Sequence, residues 1–334
     1  MRLSAFSILD EYPPSEVGAR DRLHEVVSLA RVAETAGLSA VWVAEHHFHS
    51  GGVCPQPPVL LAAMAAATAR LRLGVLVSVL PLHNPVEVAE QYAMVDRLSN
   101  GRLNLGFGSG YIPQELEGFG VAPDRKRALF DQGFETTLEA MRGLPVRAAS
   151  PPAPEVRLNV RPVQTPHPPV WIAVQRREAI PFVARRGVSV ALIPYATLTR
   201  LGELAEEVRE FRENLPAGTT AEVAVALHLY AGPEVDRARS CLQRYLESRL
   251  ATQSVHYAAK AKDGSSHGLA PELERQGWAI LDEPRRVADK LEEFRKVGVD
   301  EVLGIFDFGG LPPATVGASV AALGAAMASR PAQD

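Results

Sequence analysis

Short apolar runs alternate with stretches of helical periodicity along almost the whole of this chain, and that alternation restricts the fold more than any other feature. Eight runs read as strands: Leu3–Leu9, Ser39–Ala44, Leu71–Leu80, Leu103–Phe107, Val170–Val174, Val188–Ile193, Glu222–Tyr230 and Glu301–Phe308. Between them apolar residues recur at helical spacing, as in Leu23, Val26, Val27, Ala30 and Ala33, and several such stretches close on a glycine such as Gly37, Gly187 or Gly298. Asn84-Pro85 opens another helix, expected to run to Leu98. Leu71–Leu80 is apolar almost throughout, as a parallel strand covered on both faces requires. Strands separated by helices pair in parallel, and eight of them point to a (β/α)8 barrel. A doubly wound open sheet commonly has fewer strands and an early GxGxxG turn, which is missing here.

One barrel domain is therefore expected over residues 1–334. Two stretches break the rhythm. Residues 143–169 carry prolines at 145, 151, 152, 154, 162, 166, 168 and 169, which no helix interior accepts, and read as an excursion with a short strand at Val156–Val160. Residues 251–277, containing KAKDGSSHG, are polar and weakly patterned; a loop of that length in a compact domain reads as a lid. Its Lys260, Lys262, Asp263 and His267 are too polar for a core and are left to substrate contact or solvent.

Chemistry concentrates where the second strand ends. The run GLSAVWVAEHHFH, Gly37–His49, puts Glu45, His46 and His47 at the strand tip, on the face where parallel barrels hold their active sites. A histidine titrates in the range that proton transfer needs. His47, one residue on along an extended chain, points away from His46 and reads as support. Glu45 either orients an imidazole or satisfies a loop amide. After the fourth strand, GFGSGY supplies Gly106, Gly108, Ser109, Gly110 and Tyr111, and Gln175, Arg176 and Arg177 follow the fifth; unobstructed backbone N–H groups and guanidinium groups are what a phosphate needs.

Composition narrows the partners. A net charge of −4, a pI near 6.2 and scattered Lys and Arg argue against a nucleic-acid surface. No run reaches the roughly 18 apolar residues of a membrane span, and MRLSAFSILDEYPP meets Asp10 too early for a signal peptide, so a cytoplasmic protein is expected. Cys54 and Cys241 form no CxxC or metal spacing, and neither a disulfide nor a cysteine metal site is expected.

The runs AVWVAEHHF, RLRLGVLVSVLPLHNPVEVAEQYAMVDRLSNGRLNLGFGSGY and GVDEVLGIFDFGGLPP together resemble the bacterial luciferase-like flavin-dependent monooxygenases, and the resemblance covers almost the whole chain. It implies a (β/α)8 enzyme, usually a homodimer, that receives reduced FMN from a separate flavin reductase and uses oxygen to oxidise a small organic substrate. It makes His46 the catalytic, proton-handling residue with Glu45 beside it. Leu76 and Val77 match the position of a non-proline cis peptide beneath the flavin. Gly108, Ser109, Gly110, Tyr111, Gln175, Arg176 and Arg177 match the phosphate-binding loops. Two departures stand out: luciferase has an arginine where this chain has Ser109, and small hydroxyl residues where it has Gln175, Arg176 and Arg177, so phosphate charge is expected from the fifth loop. The ending GIFDFGGLPP resembles relatives in natural-product pathways, which suggests a secondary metabolite as substrate rather than a fatty aldehyde.

Other readings stay open. Some relatives use the deazaflavin F420 and transfer hydride without oxygen. His47 and His49 form an HxH at a strand end, the start of a metal-dependent hydrolase site that His83 or His228 could extend, with Asp307 as the only obvious late carboxylate. A non-catalytic flavin-binding protein is the third reading, and the retained EHH argues for turnover.

Overall fold

The structure, a computed structural model, describes residues 1–13, 18, 20–147, 154–251 and 268–330. The strands are β1 (Arg2–Ser7), β2 (Ala40–Val43), β3 (Arg72–Val79), β4 (Leu103–Gly108), β5 (Val146–Arg147), β6 (Glu155–Val156), β7 (Val170–Val174), β8 (Ser189–Leu192), β9 (Val223–Ala231), β10 (Ala279–Asp282) and β11 (Glu301–Ile305). The ring β1-β2-β3-β4-β7-β8-β9-β11 closes on itself through parallel β1–β11 and β8–β9 pairs, giving an eight-stranded barrel inside a coat of helices. All eight of its strands are among those read from the sequence.

Capping follows the sequence signals. The Asp21 side chain accepts the His24 N–H at 3.1 Å to start the helix Arg22–Thr35, and Asn84 accepts the Val86 N–H at 3.0 Å to start Pro85–Leu98, where Pro85 has no N–H to leave unpaired. Gly37 has φ +75°, the left-handed conformation that ends the first helix.

Four local features depart from the sequence reading. The pattern assigns nothing to residues 112–142, where the structure forms the helices Pro113–Gly118 and Lys126–Met141. β10 was not anticipated either: four residues are too few to show a period. The nine-residue β9 pairs with β8 through Val223–Val225 and with β10 through His228–Ala231, so β10 continues the sheet beyond the end of β8. The expected strand Val156–Val160 is only Glu155–Val156, in an antiparallel hairpin with β5. Of the stretch read as a lid, residues 268–277 form the helix Leu269–Gln276 and its glycine ends, while 252–267, with Lys260, Lys262, Asp263 and His267, lie outside the described residues. Among the described residues no helix is long and apolar enough to cross a membrane.

The barrel floor is a packed layer. Glu301 accepts from Ser4 Oγ (2.7 Å), Trp42 Nε1 (3.1 Å) and Arg2 Nη2 (2.9 Å), and Trp42 meets Trp171 edge to face at 5.1 Å. Gly74 is required by this layer: a Cβ there would lie 2.2 Å from the Trp42 ring. We expect Gly74→Ala to destabilise the fold by about 3 kcal/mol, because a buried indole has nowhere to retreat in a close-packed barrel. Urea unfolding measures this, and an unchanged midpoint would show that Trp42 can shift.

Candidate active site

The chain leaves β2 and turns at once over the C-terminal mouth of the barrel, with the Ala44 N–H donating to the Ser7 carbonyl (3.1 Å) and the His46 N–H to that of Cys54 (3.2 Å). Glu45, His46 and His47 are all buried there. Burial of so many polar groups is tolerated only with partners, and two buried carboxylates supply them. Glu115 Oε1 accepts from His46 Nδ1 (2.9 Å), His49 Nε2 (3.1 Å) and the backbone N–H of His47 (3.0 Å). Glu45 Oε1 accepts from His83 Nε2 (2.7 Å) and His47 Nε2 (3.2 Å), and Glu45 Oε2 from the Val79 N–H (3.2 Å). Glu45 therefore orients imidazoles, but those of His47 and His83; His46 is held by Glu115.

These bonds fix protonation. A carboxylate only accepts, so His46 carries its proton on Nδ1 when neutral and keeps a lone pair on Nε2. Burial lowers the His46 pKa, Glu115 opposes that, and the positive charge of Arg249 adds to the lowering. For His83 burial also pulls downward and is the largest single influence, but the hydrogen bond to Glu45 together with the charges of Glu45 and Glu87 outweighs it and the pKa is raised. Burial would raise Glu115, yet its bonds from His46, His49 and His47 hold it at about 2. Gly52 completes the packing, since a Cβ there would lie 2.5 Å from His46 Cδ2. The Tyr111 ring stands edge to face with His46 at 6.2 Å.

Beside this cluster, the peptide between Leu76 and Val77 is cis, where the β3–β4 register shifts. β4 makes room for it: a Cβ on Gly106 would lie 2.3 Å from the Val75 carbonyl oxygen, and one on Gly108 2.5 Å from Val77 Cγ2. These glycines answer a packing demand as well as any ligand. Past them, Lys126 Nζ donates to the Gly110 carbonyl at 3.1 Å, and burial together with the nearby Arg176 charge lowers the Lys126 pKa. Lys126 is thus bonded to the fourth loop and feels the charge of Arg176 in the fifth; Ser109 and Gln175 are half-buried. Arg177 is turned to another task, pairing with Glu206 (3.0 Å) and Glu210 (2.7 Å).

Sequence reasoning missed Glu115, Lys126, Gly52 and Arg249. Nothing in PQELEG distinguishes Glu115 from the exposed Glu117, and Lys126 is one basic residue among several in DRKR. The HxH of the hydrolase reading is divided: His47 belongs to Glu45 and His49 to Glu115, while His228 lies in neither set. Each set, Glu45–His47–His83 and His46–His49–Glu115, has ligand atoms within 4.8 Å of one another, the donor chemistry that a divalent ion could use.

A family model described as luciferase-like monooxygenase matches residues 1–301. The oxygenase component of the flavin-dependent trigonelline monooxygenase of Acinetobacter baylyi is 23% identical over 325 residues, covering 90% of this chain and 88% of that protein. Uncharacterized protein y4wF of Sinorhizobium fredii is 38% identical over 59% of this chain and 58% of its own length, so the chain spans little more than half of that relative. Among solved structures, monooxygenase RslO1 from Streptomyces bottropensis superposes with a TM-score of 0.81 at 23% identity, over 98% of this chain and 99% of that one. The oxygenating constituent of 3,6-diketocamphane monooxygenase from Pseudomonas putida, in complex with FMN, does so with a TM-score of 0.78 at 16% identity, over 98% of each.

Glu115→Gln tests the electrostatics. With the opposing carboxylate gone, the His46 pKa should fall further, which an NMR titration of the imidazole reads. Glu115 is lower in the folded state than in the unfolded chain, so its contribution is present above the ordinary glutamate pKa and lost as pH falls toward 2. A difference of about two units corresponds to about 3 kcal/mol; acid unfolding of the variant should accordingly lose part of its pH dependence in that window.

Proposed function

The chain belongs to the luciferase-like monooxygenase family, and from that premise we propose that it is the oxygenase of a two-component system: one barrel domain, 1–334, receiving reduced FMN from a separate flavin reductase in the cytoplasm. The observation that carries this reading is the buried His46, tied through Nδ1 to Glu115 with its other nitrogen left as a base at the barrel mouth. Bound reduced FMN supplies two electrons and activates O2, one oxygen atom passing to the organic substrate and the other leaving as water.

The residues present suit that group. Lys126 and Arg176 supply positive charge at the Gly108–Tyr111 loop for the phosphate, with Ser109 of that loop and Gln175 of the fifth loop, and with Arg177 of the fifth loop once freed from Glu206 and Glu210. Leu76 and Val77 form an apolar floor for the ring system. His46 takes up and returns a proton at Nε2, its neutral form favoured by burial. Glu115 keeps that imidazole in one tautomer, and Glu45 does the same for His47 and His83. A second copy of the chain is proposed to cover the exposed Val59, Met94 and Leu98 on the neighbouring helices Pro57–Ala67 and Pro85–Leu98. The substrate is read as a natural product.

Hydride transfer with F420 is the second reading, supported by the likeness to an F420-dependent secondary alcohol dehydrogenase at a TM-score of 0.70 and 16% identity. Anaerobic titration with reduced FMN and with reduced F420, each followed by oxygen, separates the two. The oxygenase reading expects reduced FMN to bind and then consume oxygen; binding of F420 alone would replace it.

His46→Ala should bind reduced FMN like the wild type while product formation falls by about 10²–10⁴, the usual contribution of a positioned acid–base group. The Lys126→Ala/Arg176→Ala double variant should weaken reduced FMN at least about tenfold, as loss of a charged hydrogen bond implies, and leave reduced riboflavin, which has no phosphate, unaffected. Equal losses for both flavins would remove these residues from the phosphate site.

A further inference from the structure

The two carboxylates of the barrel mouth are not equivalent. Among the described residues, Glu115 gathers two imidazoles and the main-chain N–H of His47 on the same oxygen. Glu45 divides its donors. Its Oε2 takes the Val79 N–H at 3.2 Å and Ser78 Oγ at 3.4 Å, while its Oε1 takes His83 Nε2 at 2.7 Å and His47 Nε2 at 3.2 Å. Among the described residues Oε1 has no other donor, and both rings turn the same nitrogen toward it.

Two imidazole nitrogens facing one carboxylate oxygen form a donor set for a borderline divalent ion such as zinc. A tetrahedral ion holding nitrogen and oxygen at about 2.1 Å keeps those atoms about 3.3 Å apart. His47 Nε2 already stands 3.2 Å from Oε1. His83 Nε2, at 2.7 Å, has to draw back by about half an ångström to reach that spacing. It has the freedom to do so, since its side chain is 18% exposed where that of Glu45 is 1% exposed. The main-chain bond to Oε2 sets the plane of the carboxylate and so presents Oε1, the role that partners outside the ligand shell play in metal sites. Phe119 packs on both rings, with centroids 4.8 Å from His47 and 6.4 Å from His83. The Glu115 set is the poorer choice: its shared oxygen keeps a main-chain N–H that no ion replaces, and an ion there would engage Nδ1 of His46.

We propose that Glu45, His47 and His83 bind one divalent transition ion of the zinc class, tying the loop after β2 to the loop after β3. The ion takes the place of the two Nε2 hydrogens, and each neutral ring then carries its proton on Nδ1. Three protein ligands leave a tetrahedral ion one further position, which water or an oxygen of a bound small molecule fills. The site goes beyond the oxygenase reading and does not depend on it, because His46 is left untouched.

The test is calorimetric titration of the chelator-treated full chain with zinc chloride, beside magnesium chloride. One zinc per chain should bind at micromolar or lower concentration and raise the melting temperature by mass action, whereas magnesium, which prefers oxygen ligands, should not bind here. His83→Gln keeps an N–H for Glu45 but ligates poorly. It should melt like the wild type in chelator and lose zinc affinity by at least about a hundredfold, the upper end of what loss of even an outer partner costs. His47→Ala should do the same to zinc, and His49→Ala should leave zinc binding unchanged. Cobalt(II) bound to the wild type should show the strong visible absorption of a four-coordinate ion, absent in His83→Gln. Failure of the wild type to bind micromolar zinc, or undiminished binding by His83→Gln, overturns the proposal. Loss of zinc in His49→Ala overturns it as well, by moving the ion to the Glu115 set.

Discussion

A single oxygen atom, Oε1 of Glu115, receives three donors from the loop that follows β2, and the shape of the barrel mouth depends on it. The carboxylate comes from the short helix after β4, so these bonds join two segments nearly 70 residues apart in sequence. They also decide chemistry: the proton that His46 gives to this contact is the reason its other nitrogen is basic. Charge-assisted bonds of this kind are stronger than neutral ones, which allows one anion to hold three groups out of water.

The two ends of the barrel use carboxylates differently. At the floor, Glu301 is surrounded by a serine, an indole and a guanidinium, groups that stay as they are across ordinary pH. At the mouth, Glu45 and Glu115 are surrounded by histidines, whose protonation can change. The same interaction supports architecture below and holds titratable rings above, in line with the division of parallel barrels into a stabilising and a reactive face.

The barrel was legible because burial on both faces writes long apolar runs into parallel strands, and Asn84-Pro85 and Gly37 mark helix ends by local chemistry alone. His46 was legible from its place at a strand tip and from its resemblance to a known motif. Glu115 was not, because its partners lie far away in sequence and its own helix is too short to show a face. β10 is similarly silent, and its place beside β9 exists only once β8 has ended. Arg176 and Arg177 look alike in sequence; tertiary structure sends one toward Lys126 and the other toward Glu206 and Glu210.

The Val75 carbonyl with Leu76, and Val77, occupy the space that side chains at positions 106 and 108 would otherwise fill. The volume is shared between two strands, and neither owner can enlarge its part alone. A bulkier residue on β4 is acceptable only after β3 has withdrawn, and β3 cannot withdraw without opening a void beneath the mouth. Two adjacent strands therefore act as one packing unit: a side chain at 108 needs room that only a smaller residue at 77 can give, and one at 106 meets main chain that no substitution removes.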